Sequence, residues 1–339
     1  MIITPNHATD EETLMVGLSR VLPHVLLATA AILVAPAPLS AQQYPAKPVK
    51  IVVAFPPGGS TDITGRFFAQ RLTTVLGQPV IVENKPGAAG VIGTEAALKA
   101  PPDGYTLTMI SSTYTTVPAL YRLSFDPIGD ITPIIQISQE PYVVAATPSL
   151  PVKNVQELVA LAKANPGKLN FASSGQGSPS HLAAELFATR TGITMNHVPY
   201  KGGGPAVTDT IAGHTDLFVG PLGTVLSHVR AGKLRAIAVA SRERSAAAPD
   251  VPSAAESGLP DYEVALWVGL AGPKGLPRPI VDRINTEVTM VLKLLATGEW
   301  LQANGKSSAG GTPGQFQATI KKEIALWREV VREAGVRPE

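Results

Sequence analysis

Apolar runs and loops of small residues alternate along most of the chain. VKIVVAF (49–55) meets PPGGSTD (56–62) and then ITGRFFAQRLTTVLG (63–77), where Ile63, Phe67, Leu72, Val75 and Leu76 recur near helical spacing and stop at Gly77. PVIVEN (79–84) leads through KPGAAG into the helical VIGTEAALKA (91–100), and KLNFASS (168–174) leads through GQGS into PSHLAAELFATRTG (179–192). NHVPY enters KGGG before PAVTDTIAG, and TDLFVG enters PLGTVLSHVRAG, which predicts Pro179, Pro205 and Pro221 at first helical positions. Strand, small-residue loop, helix is the repeating unit. It predicts an α/β protein with mostly parallel sheets flanked by helices, and a ligand site beyond the carboxyl ends of the strands.

Between Pro127 and Pro151 the pattern changes. ITPIIQISQEPYVVAATPS (131–149) reads as two extended apolar runs without a helix between them, and a compatible run, KLRAIAVAS (233–241), returns later. Paired extended runs around a middle segment predict crossover strands between two lobes. The expected organisation is residues 42–142 plus 245–339 as the first lobe and 143–244 as the second. The helical stretches IVDRINTEVTMVLKLL and FQATIKKEIALWREVVREAG are expected to complete the first lobe. No solenoid-type repeat is present.

Composition narrows the partners. The 339 residues are 45% hydrophobic with 31 Gly and 31 Pro, enough for a sizeable core, and the net charge of +2 comes without a basic tract, so no nucleic acid is expected as partner. The absence of cysteine removes disulfides, Cys-ligated zinc and thiol nucleophiles together. Residues 21–37, VLPHVLLATAAILVAPA, carry no charge, follow Arg20 and lead to the small residue Ala41, the pattern of a secretory signal peptide over 1–41. Asp10, Glu11 and Glu12 make the preceding segment acidic, whereas a start at Met15 gives the ordinary basic MVGLSRVLPHVLL. Met15 is therefore the expected true start, and an uncleaved precursor beginning at Met1 would contradict it. A membrane anchor is the alternative, but the run contains Pro23, His24 and Pro36 and is short for a span.

A phosphate loop needs Lys followed by Ser or Thr after its glycines, and PPGGSTD has neither in that order. GAAGVIG (87–93) only loosely echoes a dinucleotide fingerprint and comes too late in the chain. A nucleophile elbow needs Gly two residues either side of Ser; Ser60 is followed at that spacing by Asp62, and Ser178 is flanked by Gln176 and Ser180. His181, His197, His214 and His228 form no metal-binding spacing, so no metal and no cofactor are expected. What remains is anion capture. Uncovered N–H groups at helix starts attract carboxylates, hydroxyls of Ser60, Thr61, Ser174 and Ser178 can add donors, and Phe55, Tyr114, Tyr200 or Trp267 can wall a cleft. Helix capping is the competing role for each of these hydroxyls, and loop-tying is the competing role for Asp62 and for His181. Lys85 and Lys201 stand beside loops, with solvation as their ordinary role.

YPAKPVKIVVAFPPGGSTDITGRFFAQRL, GQPVIVENKPGAAGVIGTEAALKAPPDGYTL, YKGGGPAVTDTIAGHTDLFV, GKLRAIAVASRERSAAAPDVPSAAESG and YEVALWVGLAGPKGLPRPIV together resemble the substrate-binding proteins of tripartite tricarboxylate transporters, the Bug receptors. The resemblance runs from about Tyr44 to the C-terminus. It implies a two-lobed, type II periplasmic binding protein fold, a monomer that is not an enzyme, a periplasmic location, and closure on a small carboxylate such as an amino acid, a dicarboxylate or an aromatic acid. The implied partners are the membrane permease subunits of such a transporter. A receptor that presents its closed form to a signalling domain is the alternative, and a hydrolase a more distant one. Carried across residue by residue, the implied ligand contacts are Phe55, Gly58, Gly59, Ser60, Thr61 and Asp62; Ser112, Thr113 and Tyr114; Ser174, Gly175, Gly177, Ser178 and His181; Tyr200, Lys201 and Gly202; and Asp216. YKGGGPA carries an extra glycine, and AGHTD replaces the more usual glycine pair before the acid.

Overall fold

The computed structural model describes Met1 and residues 44–336; the expected signal peptide and the Met15 start lie outside the described residues. In chain order come β1 (Val49–Val53), α1 (Ser60–Leu76), β2 (Val80–Asn84), α2 (Val91–Leu98), β3 (Thr106–Ser111) and α3 (Thr113–Leu120). Then follow β4 (Ile131–Ala146), α4 (Val155–Ala164), β5 (Asn170–Ser173), α5 (Pro179–Thr191), β6 (Asn196–Pro199), α6 (Gly203–Ala212), β7 (Leu217–Pro221) and α7 (Leu222–Arg230). The chain closes with β8 (Arg235–Val239), β9 (Ala265–Pro273), α8 (Arg278–Leu292), α9 (Leu295–Ala303), β10 (Ser307–Gly310) and α10 (Pro313–Glu333).

Two parallel sets of strands form two lobes. β2, β1 and β3 pair in parallel in the first, and β6, β5 and β7 in the second. Ile51, Val52 and Val53 are all but fully buried, as expected of parallel strands covered on both faces. β4 is a single 16-residue strand rather than two runs; its first part pairs with β9 and β10, and its last five residues with β7 and β8. At roughly 3.3 Å per residue it spans about 50 Å and belongs to both lobes.

The helix faces depart from the simple apolar count in one place. In α1 the buried stripe is Thr64, Gly65, Phe68, Ala69 and Leu72, while Ile63 and Val75 remain exposed. Phe67 instead stacks on Trp300 of α9 at 3.8 Å, so α1 carries a second apolar face that a count of large side chains merges with the first. Pro179 does open α5, with Ser178 as its cap, but Pro205 lies two residues inside α6 and Pro221 one residue before α7. All three positions fall where a backbone N–H has no helical partner, so each proline is tolerated.

Two differences concern how the chain is shared between lobes. Residues 245–264 pack on the second lobe: Ala248 and Val251 join the core around Val239, and Ala254 and Tyr262 join the core around Phe187. Tyr262 also donates its hydroxyl to the Ala183 carbonyl. These twenty residues after Arg244 thus pack with the second lobe, and β9, from Ala265, pairs with β3 of the first. The last helix also differs from expectation. In α10, Phe316, Ile320 and Ile324 pack with Trp267 of the first lobe, whereas Trp327, Val330 and Val331 enter the second-lobe core. A 21-residue helix is about 32 Å long, enough to reach both cores.

Strand directions fix where the loops gather. β9 runs antiparallel to both β3 and β4, so β3 and β4 share a direction; β7 runs antiparallel to β4, so β5, β6 and β7 point back toward the first lobe. Ser111, ending β3, aligns through Val268 with Ser138 of β4, and Pro221, ending β7, lies opposite Tyr142. The carboxyl ends of both parallel sets thus meet over Ser138–Tyr142. Three backbone bonds tie the crossing there: Tyr142 N–H to Val264 carbonyl, Ala240 N–H to Tyr142 carbonyl and Val264 N–H to Ala240 carbonyl, at 2.9, 2.8 and 3.0 Å.

Candidate ligand-binding cleft

The first-lobe jaw is the loop after β1. Gly58 has a φ of +82°, a left-handed conformation that favours glycine, and Gly59 precedes α1 without any side-chain cap. The first N–H groups of α1 therefore face out of the helix with no helical partner. Ser60 places its Oγ in a buried position with no hydrogen-bond partner, and Thr61 is buried beside it. The Asp62 carboxylate is turned to its own loop. It accepts from Gly58 N–H at 2.9 Å, Arg66 Nε at 3.0 Å and Asn84 Nδ2 at 2.8 Å, and so ties the loop to α1 and β2. Burial raises the Asp62 pKa, but these donors outweigh it and hold the carboxyl below the usual aspartate value. The direct-contact role expected of Asp62 is replaced by loop-tying.

A second first-lobe element lies at the start of α3. Ser112 N–H donates to the Trp267 carbonyl at 3.0 Å, which fixes the loop to β9, and Ser112 Oγ is buried without a partner. Thr113 is partly exposed beside it. Tyr114 points the other way: its hydroxyl donates to Pro127 carbonyl at 2.7 Å and its ring packs with Trp267 and Phe316. Together with Phe55 it lines a cavity of about 20 Å³ inside the first lobe, roughly the room of one water molecule. Expected cleft contact by the Tyr114 side chain is thus corrected; the ring supports the loop from behind. Trp267 likewise gives its Nε1–H to Glu323 of α10 and is buried, lining the cavity along α10 rather than the hydroxyl loops.

The second-lobe jaw is a knot of hydroxyls. Ser174 Oγ lies 2.7 Å and Ser178 Oγ 3.0 Å from Ser180 Oγ, and Ser180 Oγ also accepts from Ser174 N–H at 2.8 Å. Ser178 caps α5 by accepting from His181 N–H. Gly175 and Gly177, both at positive φ, carry the chain between them. His181 is buried below this loop: its Nδ1 accepts from Gly177 N–H at 3.0 Å, its Nε2 faces Glu185 at 3.5 Å, and its ring stacks on His197 at 3.7 Å. His197 Nε2 in turn meets Ser173 Oγ at 2.6 Å, which accepts from Gly175 N–H. The two imidazoles hold the loop from inside the lobe, which favours loop support as the role of His181.

The next loop completes this jaw. Gly202, at φ +114°, donates its N–H to Ser174 carbonyl and leads into α6 without a side-chain cap. Lys201 is exposed, and Tyr200 directs its hydroxyl to Asp209 Oδ2 at 2.7 Å, away from a purely free role. Asp216 lies at the wrong end. It precedes β7, whose far end is Pro221, so it stands roughly 17 Å from the cleft, five residues at about 3.3 Å each. There its carboxylate accepts from Asn170 N–H at 2.8 Å, an internal strand tie that corrects its expected cleft role.

Sequence reasoning missed three residues at this crossing. Glu140 of β4 is buried and accepts from Gly223 N–H in the first turn of α7, and Lys306 donates to Thr64 Oγ1 at 2.9 Å and reaches the Ser60 carbonyl at 3.5 Å. Burial pushes the Glu140 carboxyl up to about 7, against the pull of Gly223 N–H and Lys306. Glu140 had a signal, being the only acid in ITPIIQISQEPYVVAATPS. Lys306 and Gly223 had none. A separate cavity of about 930 Å³, lined by Gln139, Arg190, Arg242, Lys306, Lys322 and Glu329 among others, lies along α10 and the crossing and holds none of the hydroxyl loops. No group of three or more His, Asp or Glu side chains that can hold a metal occurs among the described residues.

The histidine stack gives a pH dependence. Burial, then the neighbouring His181, lowers the His197 pKa to about 4 from 6.5. Above pH 6.5 both folded and unfolded chains carry the neutral ring; as pH falls toward 4 only the unfolded chain takes the proton, so stability is lost across that window. Allowing for partial exposure, the expected loss is roughly 2 kcal/mol. Urea unfolding at pH 7 and pH 4.5 should show a smaller fall for His197→Gln than for the unsubstituted chain, and equal falls would contradict this assignment.

Two α/β lobes, a paired crossing and facing helix starts define the periplasmic binding protein class. The profile described as "Tripartite tricarboxylate transporter family receptor" matches residues 64–336, and the chain belongs to that family. It is 40% identical over 319 residues to Protein BugT of Bordetella pertussis, covering 92% of this chain and 96% of that one. It is also similar to the structure "R. palustris Rpa4515 with adipate" (34% identity, TM-score 0.75, covering 87% of this chain and 100% of that one). A third likeness is to MatC from Rhodopseudomonas palustris with bound malate (31% identity, TM-score 0.71, covering 85% and 100%).

Proposed function

We propose that this chain is a solute-binding receptor that captures a small carboxylate between its lobes for delivery to a membrane permease of the tripartite tricarboxylate type. The observation that carries the reading is the pair of buried, unpartnered hydroxyls, Ser60 Oγ and Ser112 Oγ, at the starts of α1 and α3, neither of which has a side-chain cap. A buried hydroxyl without a partner costs about 1–3 kcal/mol, which an anion's acceptor oxygens would recover. The adipate and malate held by the two R. palustris relatives support a dicarboxylate; an amino acid or an aromatic acid is the other expected chemistry.

In this reading Gly58, Gly59, Ser60, Thr61, Ser112 and Thr113 form one jaw, and Ser174, Gly175, Gly177, Ser178 and Gly202 the other. Phe55, Tyr200 and Lys201 stand at the margins. The first lobe is taken as residues 42–142 plus 265–339, the second as 143–264, with bending at the Tyr142, Ala240 and Val264 crossing. Closure buries the ligand and follows from its extra contacts in the closed state. Members of this family are receptors, and the reading involves no chemical turnover. It also has the chain secreted through its leader to the periplasm as a monomer; no helix among the described residues is long and apolar enough to cross a membrane.

Thermal melts against a panel of carboxylates test this. A ligand at a hundred times its Kd adds about 2.7 kcal/mol to the folded state. A rise in Tm with at least one of malate, adipate, an amino acid or benzoate is expected. No shift anywhere in the panel would count against the reading.

A further inference from the structure

The two jaws are joined beneath the cleft by a charged side chain, Glu140, and a close backbone contact, with a second charge, Lys306, on the first-lobe side. Glu140, on the strand shared by both lobes, holds the first turn of α7 in the second lobe through Gly223 N–H. Lys306, between α9 and β10, holds the first turn of α1 in the first lobe through Thr64 Oγ1 and the Ser60 carbonyl. Each charge acts on the other: Lys306 lowers the Glu140 pKa, and Glu140 raises that of Lys306, whose burial otherwise lowers it. The backbones meet at the same point. A Cβ on Gly305 would stand 3.0 Å from Gly223 Cα, and one on Gly223 would stand 2.6 Å from Glu140 Oε1 and 3.4 Å from Asn304 carbonyl oxygen. Two glycines thus let the α9–β10 turn of the first lobe touch the start of α7 in the second.

α7 is distinct among the helices that open on the cleft. α1, α3 and α6 begin without a side-chain cap and α5 is capped by its own Ser178, whereas the N-terminus of α7 is already occupied by a protein carboxylate from another strand. Glu140 supplies there the charge that a ligand would otherwise bring. We propose that Glu140, through Gly223 N–H, and the Gly305–Gly223 contact form a clasp between the two lobes that sets how far the cleft opens, while Lys306, on the first-lobe side of it, holds Ser60 in register for the ligand. The affinity part of this inference rests on the receptor reading; the clasp itself does not.

The absence of cysteine makes the test clean. Spin labels at Gln70→Cys on α1 and Lys163→Cys on α4, both exposed, report the separation of the lobes in the unliganded protein. A longer and broader distance distribution is expected when Glu140→Ala is added, whereas Lys306→Met, which leaves the Gly223 bond in place, should change it less. Glu140→Gln, which keeps an acceptor for Gly223 without the charge, should fall between. Titration with malate and adipate should show affinity weakened about tenfold by either single change for whichever acid binds. Unchanged distances in folded Glu140→Ala protein would overturn the clasp, and unchanged affinity in folded Lys306→Met protein would overturn the role of Lys306 in holding Ser60. A parent chain that binds no carboxylate while the labels still separate in Glu140→Ala would sink the receptor reading and leave the clasp standing.

Discussion

Asp62→Ala is expected to lower unfolding stability by roughly 2–3 kcal/mol and to weaken carboxylate binding at least tenfold, because Asp62 ties the loop that carries the first jaw. The carboxylate is the point where three segments join: Gly58 of the loop, Arg66 of α1 and Asn84 of β2. Asn84 also donates to the Phe55 carbonyl, so losing Asp62 frees both ends of the PPGG turn. Arg66 is half exposed and can return to water, which confines most of the cost to the Gly58 and Asn84 donors. Because its folded pKa is depressed below the ordinary 3.8, the contribution is complete at neutral pH and disappears only as pH falls below that value. Asp62→Asn keeps one acceptor oxygen and should lie between parent and alanine variant in both melting temperature and affinity. An alanine variant that melts and binds like the parent would remove the carboxylate from any structural role.

Gly93→Ala should be the most damaging small substitution, with a loss of about 3 kcal/mol or more. A Cβ there would fall on the Lys85 carbonyl oxygen and stand 2.8 Å from Ala54 Cα, both backbone atoms that cannot rotate away. α2 would have to lift from the end of β1, the strand that delivers the first jaw. Gly59→Ala provides the contrast. Gly59 has a φ of −75°, and its nearest atom to an added Cβ is 3.6 Å away, so folding stability should stay within about 0.5 kcal/mol while the added methyl obstructs a ligand approaching the main chain. Denaturant melts and binding of the same two variants separate the roles. Equal stability loss in both would contradict the packing argument.

Gly93 also shows why the GAAGVIG segment resembled a dinucleotide loop. Its glycines serve close approach of α2 to β1 and turns at Gly87 and Gly90, which is the packing half of the fingerprint without the phosphate. The strand, loop and helix units were legible in sequence because each is local: an apolar run, small residues, then helical spacing. The jaws were legible for the same reason, since a loop after a parallel strand has a fixed place in the sheet. Asp216 precedes a strand, and only the register of β7 against β4 shows that this end of β7 is remote from the jaws.

Other details depend on distant partners. Nothing around Tyr114, His181 or Asp62 in sequence announces Pro127, His197 or Asn84, so buried support and ligand contact look alike there. The amphipathic stripe of α10 is equally uninformative about its destination, since Phe316 and Trp327 differ in which lobe receives them. Glu140 and Gly223 are joined across 83 positions, a relation that only the fold supplies.

The central claim is that the facing loops bind a small carboxylate and leave it unchanged. Isothermal titration of the purified mature chain with malate and with adipate, followed by recovery of the acid from the complex, tests it most directly. Saturable binding of one intact molecule per chain is expected for at least one of the two acids or, failing those, for an amino or aromatic acid, with binding weakened by Ser60→Ala and by Ser112→Ala. Absence of heat across all of these acids, or recovery of a chemically altered acid, would contradict it.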